Sequence, residues 1–343
     1  MKAVVFRRHG GPEVLEYADM PDPHPAADEI LVQVKACALN HLDIWVRQGI
    51  PAYRIQLPHI SGCDVAGVVA SCGEEVKGFR TGQRVVLAPG LNCGACEFCR
   101  AGHDSLCVSY GIRGARTPGG YAQLTSAKAK DAIPLPENIS FETAAAFPLA
   151  FLAAWHMLIG RARLNAGETV LVHAAGSGVG HAAVQIAKHH GARVITTVGA
   201  DEKIAKAKAL GANAVVQYRK ESVEERIKQL TDGRGVDVVV EHIGPEVWDV
   251  SLKALAKGGR LVTCGATSGP QVALDLRYVF SRQLSILGSM MGTRAELNAV
   301  AGLVFQGELK PVVDTVFPLS DARAAQERLL SRSFFGKLVL SIS

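Results

Sequence analysis

The chain has 343 residues, 48% hydrophobic and 20% charged, with 37 basic against 32 acidic side chains and a net charge of +5. That length asks for two cores rather than one, the mixed charges argue against a nucleic-acid face, and no apolar run approaches the length of a membrane span. The opening residues MKAVVFRRHGGPEVLEY alternate like a strand and lack the apolar core of a signal peptide, so the expected compartment is the cytoplasm. There the eight cysteines should be thiols or metal ligands rather than disulfides.

Residues 1–125 are rich in Val, Gly and Pro, and short alternating runs recur: AVVF, EILVQVKAC, DVAGVVASCG, QRVVLAP and GYAQLTS. The pattern predicts a compact antiparallel β domain with irregular loops. Within it, NCGACEFCRAGHDSLC carries Cys93, Cys96, Cys99 and Cys107 in the spacing C-x2-C-x2-C-x7-C. The other cysteines, Cys37, Cys63, Cys72 and Cys264, are scattered.

After about residue 140 the texture changes. Thr169–His173 reads as a strand, and the glycine turn AAGSGVG (174–180) follows it. A helix comes next, with Val179, Ala182, Ala183, Ile186 and Ala187 on one face and Gly191 as its cap. The alternation continues: a helix from Asp201 to Leu210, the strand NAVVQY, a helix over Glu221–Leu230 and the strand VDVVVEHIG. A helix over Trp248–Ala256 and the strands GRLVTCGA and LSILGS complete the run. Repeated βα units of this length predict a doubly wound parallel sheet. From about Thr293 the chain returns to a helix and ends in KLVLSIS, a strand expected to rejoin the first domain.

Placed between a strand and a helix, Gly176, Ser177, Gly178, Val179 and Gly180 can bring backbone N–H groups against a pyrophosphate, which points to a dinucleotide. The second strand ends Thr196-Thr197-Val198-Gly199-Ala200, without the carboxylate that would hold a ribose 2′-OH, and Asp201 fits a helix cap better. Lys203 and Tyr218, with Arg219 beside it, are then available to a 2′-phosphate, so NADP(H) is favoured over NAD(H).

KAVVFRRHGGPEVLEY, VKACALNHLDIWVRQG, the cysteine lobe, HAAGSGVGHAAVQIAK and FGKLVL together resemble the medium-chain dehydrogenase/reductase superfamily over nearly the whole chain. The resemblance is nearest to its NADPH:quinone oxidoreductase-like branch, with the cysteine lobe of zinc alcohol dehydrogenases. It implies an α/β protein: a GroES-like β domain (1–127 and 293–343, with a zinc lobe at 92–108) plus a Rossmann domain (128–292). The active site is expected in the cleft between the two. It implies one structural Zn2+ on Cys93, Cys96, Cys99 and Cys107, a closed thiolate shell. An iron–sulfur cluster matches the spacing less well. It also implies cofactor contacts from Gly199, His242-Ile243, Gly265-Ala266-Thr267, Ser289-Met290 and Lys337, and a homodimer or homotetramer paired along the LSILGS edge.

The departures from the zinc enzymes concern the catalytic ion. The first ligand position is Asn40, the neighbouring hydroxyl position Leu42, and a further His position Trp45. The second ligand segment reads Gly62-Cys63-Asp64, and the third position falls at Leu149 or Ala150. An improvised site from Cys63, Asp64, His59, His41 and Cys37 ranks below a metal-free reading. The expected activity is therefore hydride transfer from NADPH to a quinone, enone or enal, small molecules that spread the developing charge themselves. Asn40, Asp43 and Tyr53 are the candidate catalytic residues. The alternatives are a zinc alcohol dehydrogenase with atypical ligands and a non-catalytic NADPH-binding protein.

Overall fold

A computed structural model describes residues 1–50 and 54–343. The chain divides into two compact units: residues 1–149 with 293–305 and 311–343, and residues 150–292 with 306–310. The chain returns to the first unit at Thr293 and crosses once more at residues 306–310. The first boundary lies at 149/150 rather than 127/128, because Ala132–Pro134 is still a strand of the first unit, antiparallel to Arg84–Leu87.

The first unit is built on a seven-stranded sheet. Its order is Val313–Pro318, Lys337–Ser341, Glu29–Ala38, Asp64–Cys72, Arg84–Leu87 and Ala132–Pro134, with Leu124–Lys128 also paired to Glu29–Ala38. Alternate residues of Glu29–Ala38, among them Ile30, Val32 and Val34, are fully buried. They pack with Val65, Val69, Val85, Leu87, Tyr121, Leu338 and Leu340 into one core. The pairing is antiparallel as expected except between Val313–Pro318 and Lys337–Ser341, which run parallel. Helix Ala322–Ser331 lies between these two strands in sequence and supplies the crossover that parallel pairing requires.

The second unit is a six-stranded, all-parallel sheet. Its order is Ala214–Gln217, Arg193–Val198, Thr169–Val172, Val236–Glu241, Leu255–Thr263 and Ser285–Gly288. The strand order reverses between Thr169–Val172 and Val236–Glu241, the switch point outside which such sheets bind ligands. The predicted helix over Trp248–Ala256 ends at Ala254, and the strand starts at Leu255. Leu255 is paired with Val236 there, so sheet pairing overrides the local helical pattern. Leu171, Ile195, Val216, Val239, Leu255 and Leu261 form the centre of this core. No helix among the described residues is long and apolar enough to cross a membrane.

Candidate functional site

In the first unit, three strand ends meet. Ala38 pairs with both Val339 and Asp64, so the end of Glu29–Ala38 lies beside the starts of Lys337–Ser341 and Asp64–Cys72. Asn40 follows one strand, and Asp64 and Lys337 open the other two. The Lys337 ammonium donates to Asn40 Oδ1 at 2.6 Å and Asp64 Oδ2 at 3.1 Å. Asn40 Nδ2 donates to Asp64 Oδ2 at 2.8 Å and to Cys63 Sγ at 3.3 Å. The other Asp64 oxygen accepts the Leu149 N–H at 2.8 Å. Lys337 is 2% exposed and Asp64 not at all, so this is a buried ion pair with every carboxylate oxygen occupied.

The three positions that the resemblance assigns to a catalytic zinc lie together, and their chemistry does not fit a divalent ion. The first offers an amide, whose oxygen is taken by an ammonium. The second offers Cys63, whose thiol is pushed well up by burial and by the neighbouring Asp64 and Asp43 carboxylates. The third offers a backbone N–H. His59, weighed as a ligand from sequence, is buried with Nε2 on the Gly114 carbonyl at 2.9 Å. His41 stacks edge-on against Trp45, and Cys37 is buried inside its strand. These five residues do not gather into a donor set: among the described residues, one group of three or more His, Cys, Asp or Glu side chains has mutual metal-ligand reach, and it lies in the cysteine lobe.

Asp43 is buried and serves as an anchor. It accepts from the Asn40 N–H at 2.8 Å, the Tyr121 hydroxyl at 3.1 Å and the Gly62 N–H at 3.1 Å. Burial nevertheless pushes its carboxyl up to about 6, against the pull of those bonds. Asp43 therefore fixes the backbone that presents Asn40 and Cys63. Tyr53 lies outside the described residues. Tyr121, which the sequence reading passed over, is the buried phenol of this cluster.

The lobe brings Cys93, Cys96, Cys99 and Cys107 sulfurs within 4.8 Å of one another. Cys93 Sγ lies 3.9 Å from Cys99 Sγ and 3.5 Å from Cys107 Sγ. A tetrahedral ion with bonds of about 2.3 Å sets sulfurs about 3.8 Å apart, so the spacing matches. The backbone N–H groups of Ala95 and Cys96 donate to Cys93 Sγ at 3.4 and 3.3 Å, and that of Cys93 to Cys107 Sγ at 3.3 Å, as thiolates require. Asp104 fastens the lobe to helix Arg294–Phe305 through the Arg294 N–H at 3.1 Å.

In the second unit the residues expected to meet a dinucleotide line the carboxyl ends of the strands. Ser177 caps helix Gly178–His189 by accepting the Gly180 N–H at 2.9 Å. A Cβ on Gly180 would come within 2.0 Å of the Ala174 carbonyl oxygen, so only glycine lets this helix start so close to the strand. His242 Nε2 lies 3.0 Å from the Ser177 hydroxyl. Its Nδ1 is buried with no partner among the described residues, as is the Ser289 hydroxyl. Two orphaned polar atoms on this rim are what a site shaped for a polar ligand leaves when that ligand is not counted. Thr267 Oγ1 donates to the His242 carbonyl at 2.8 Å, tying the loops after the fourth and fifth strands together with Gly265 and Ala266 between them. The Tyr218 hydroxyl stands over Gly199, 2.5 Å from where a Cβ would be. Lys203 is half-buried at the second position of helix Glu202–Ala209, and Met290 is exposed.

Asp201 does not cap its helix by its side chain; its carboxylate pairs with Lys220 instead. Lys337, expected among the cofactor contacts, has its ammonium on Asn40 and Asp64.

Two features escaped the sequence reading. Buried Glu241 accepts the N–H groups of Ile243 and Gly244 at 2.5 and 2.6 Å and the Thr263 hydroxyl at 2.9 Å, fixing the turn that follows the fourth strand. The signal was a carboxylate closing the apolar run VDVVVE. His173, held neutral by burial at about 3, donates from Nε2 to Ser251 Oγ at 2.9 Å beneath the glycine turn, since that hydroxyl is spent on the Val247 carbonyl.

Residues 26–137 match the family described as alcohol dehydrogenase GroES-like domain, and residues 178–306 match zinc-binding dehydrogenase. The chain is 34% identical to a quinone oxidoreductase of Pseudomonas aeruginosa, covering 99% of both chains. Among solved structures, it is similar to an NAD-dependent alcohol dehydrogenase at 48% identity, TM-score 0.97 and full coverage of both chains. It is also similar to an Escherichia coli quinone oxidoreductase complexed with NADPH, at 32% identity and TM-score 0.83, covering 99% of this chain and 100% of that one.

Proposed function

The chain belongs to the medium-chain dehydrogenase/reductase superfamily and is an oxidoreductase of that type, and from that premise we propose that it uses NADPH to reduce a quinone, enone or enal without a catalytic metal. The observation that carries this reading is the closed Asn40–Lys337–Asp64–Cys63 cluster, in which an ammonium already occupies both the amide oxygen and the one carboxylate and the sulfur is a protonated thiol, leaving no free anionic donor for a Lewis acid. The glycine turn of residues 176–180 would hold NADPH, whose hydride would go to the conjugated carbon, and the acceptor's oxygen would take the displaced electron pair and a proton from water. The protein's part is to place the two reactants and to stabilise charge on that oxygen, for which Asn40 is the donor. One Zn2+ sits in the cysteine lobe in a structural role.

Purified protein should therefore reduce 1,4-naphthoquinone and simple enones with NADPH, and turn over saturated ketones and alcohols slower by about two orders of magnitude or more. Equal rates on saturated ketones would sink the reading. The alcohol dehydrogenase reading is favoured by the 48% identical structure; two zinc ions per chain instead of one would decide for it.

The preference for the 2′-phosphate rests on Lys203 and Tyr218 beside a Gly199 that leaves no carboxylate in the way. Lys203→Ala should raise KM for NADPH about tenfold and leave that for NADH unchanged; an equal effect on both would assign Lys203 elsewhere.

The edge strand Ser285–Gly288 and the neighbouring helix Leu276–Arg282, with Leu276 and Phe280 exposed by 68 and 70%, form an apolar rim that a second copy would cover. We expect a dimer or tetramer. Phe280→Glu should shift it toward monomer in light scattering, and a monomeric parent protein would refute the assembly.

A further inference from the structure

We propose that Lys337 takes the place of the catalytic metal as the fixed cation of this site and acts on the reaction as a positioning residue, through Asn40. The inference rests on the reduction of conjugated acceptors proposed above and assigns the residue that makes Asn40 an effective donor.

Asn40 has one oxygen and two N–H protons. The oxygen is held by the Lys337 ammonium at 2.6 Å, a charge-assisted bond. One N–H is held by the Asp64 carboxylate at 2.8 Å, which the same ammonium also contacts. Those two bonds fix the amide's plane and leave no ambiguity between its oxygen and nitrogen. The remaining N–H rests on Cys63 Sγ at 3.3 Å, a weak acceptor. Burial keeps that sulfur a thiol rather than a thiolate. A developing oxyanion is a far better acceptor than a thiol, so this is the N–H that can hydrogen-bond an acceptor's oxygen, while the transferred proton still comes from water. A cation on the amide oxygen draws electron density from the nitrogen and strengthens that donor. A metal would polarise the substrate oxygen directly, whereas here the positive charge works one amide away.

If Lys337 only neutralised Asp64, the same contacts would be present, so the test must separate the two roles. We expect Lys337→Met and Asn40→Ala each to lower kcat for 1,4-naphthoquinone by about 100-fold, the loss typical of one oxyanion donor. The KM for NADPH should change less than about twofold. The Lys337→Met/Asn40→Ala double variant should be no slower than Asn40→Ala alone, because a residue acting through Asn40 has nothing left to position.

Lys337→Met buries an uncompensated carboxylate and can fail to fold. The Lys337→Met/Asp64→Asn pair, which removes both charges, carries the same prediction with a melting temperature close to that of the parent. Full kcat in either Lys337 variant overturns the proposal. So does a double variant about 100-fold slower than Asn40→Ala, or a rise in KM for NADPH with kcat intact, which would return Lys337 to the cofactor. A parent protein that reduces no quinone or enone would instead overturn the reading of the reaction, and this inference with it.

Discussion

Cys107→Ser should strip the protein of its zinc while leaving the rest of the first unit folded. The parent should carry about one ion per chain by elemental analysis. The variant should bind zinc weaker by more than the roughly 10–100-fold that outer-shell partners contribute, because a ligand itself is lost. The expectation of a local effect comes from the lobe's construction. Its one α-helix, Glu97–Arg100, is four residues long and buries none of them, and the single 3-10 turn Asp104–Leu106 buries only Ser105. Its order therefore depends on the ion and on a few polar ties, those of Asp104 to Arg294 and of Lys130 to Asn92. Without metal, trypsin should cut after the exposed Arg100, while the global melting transition moves little. Zinc retained in the variant, or no zinc in the parent, would contradict the assignment of the four thiols.

The second large effect is expected at the glycine turn. Gly180→Ala should weaken NADPH binding by about 100-fold or more, read by fluorescence titration. The added methyl would sit 2.0 Å from the Ala174 carbonyl oxygen and 2.8 Å from Ser177 Oγ, so the backbone must move. That movement breaks the Ser177 cap and turns the helix N–H groups away from the pyrophosphate they are meant to meet. Ala174 already holds a left-handed φ of 52°, which leaves the turn little freedom to absorb the shift. Gly302 is the control: nothing lies within 4 Å of a Cβ there, and it sits inside helix Arg294–Phe305. Gly302→Ala should stabilise by up to about 1 kcal/mol and leave cofactor affinity alone. Unchanged binding in Gly180→Ala would remove the turn from the cofactor site.

Much of this was legible in the residues, for local reasons. The second unit is a run of βα units whose periods of 2 and 3.6 declare themselves in windows of a dozen residues, and the parallel pairing of its sheet follows from that alternation. The lobe was legible because its four cysteines lie within fifteen positions. The segment AAFPLAFLAAW was not, because it is apolar on every side and carries no period. It forms helix Pro148–Trp155, and Leu149 gives the Asp64 cluster a backbone N–H that side-chain reasoning cannot see. Lys337 was read as one more basic residue near a nucleotide. Its burial against Asn40, 297 positions away, depends on a strand register that no local pattern encodes. Asp201 looked like a cap because capping is a local habit, yet Lys220, nineteen positions on, binds it more strongly.

The sheet of the first unit also dictates a schedule. Its central strand, Glu29–Ala38, leaves the ribosome early, yet one of its two neighbours at the Asn40 end is Lys337–Ser341, made some three hundred residues later. The parallel sheet of residues 169–288 is whole well before that, so it can fold while the older segment still waits. Until the late strand arrives, Asp64 has no ammonium opposite it and a row of backbone groups on Glu29–Ala38 stays open. The half of the molecule synthesised first is thus the last to complete its sheet.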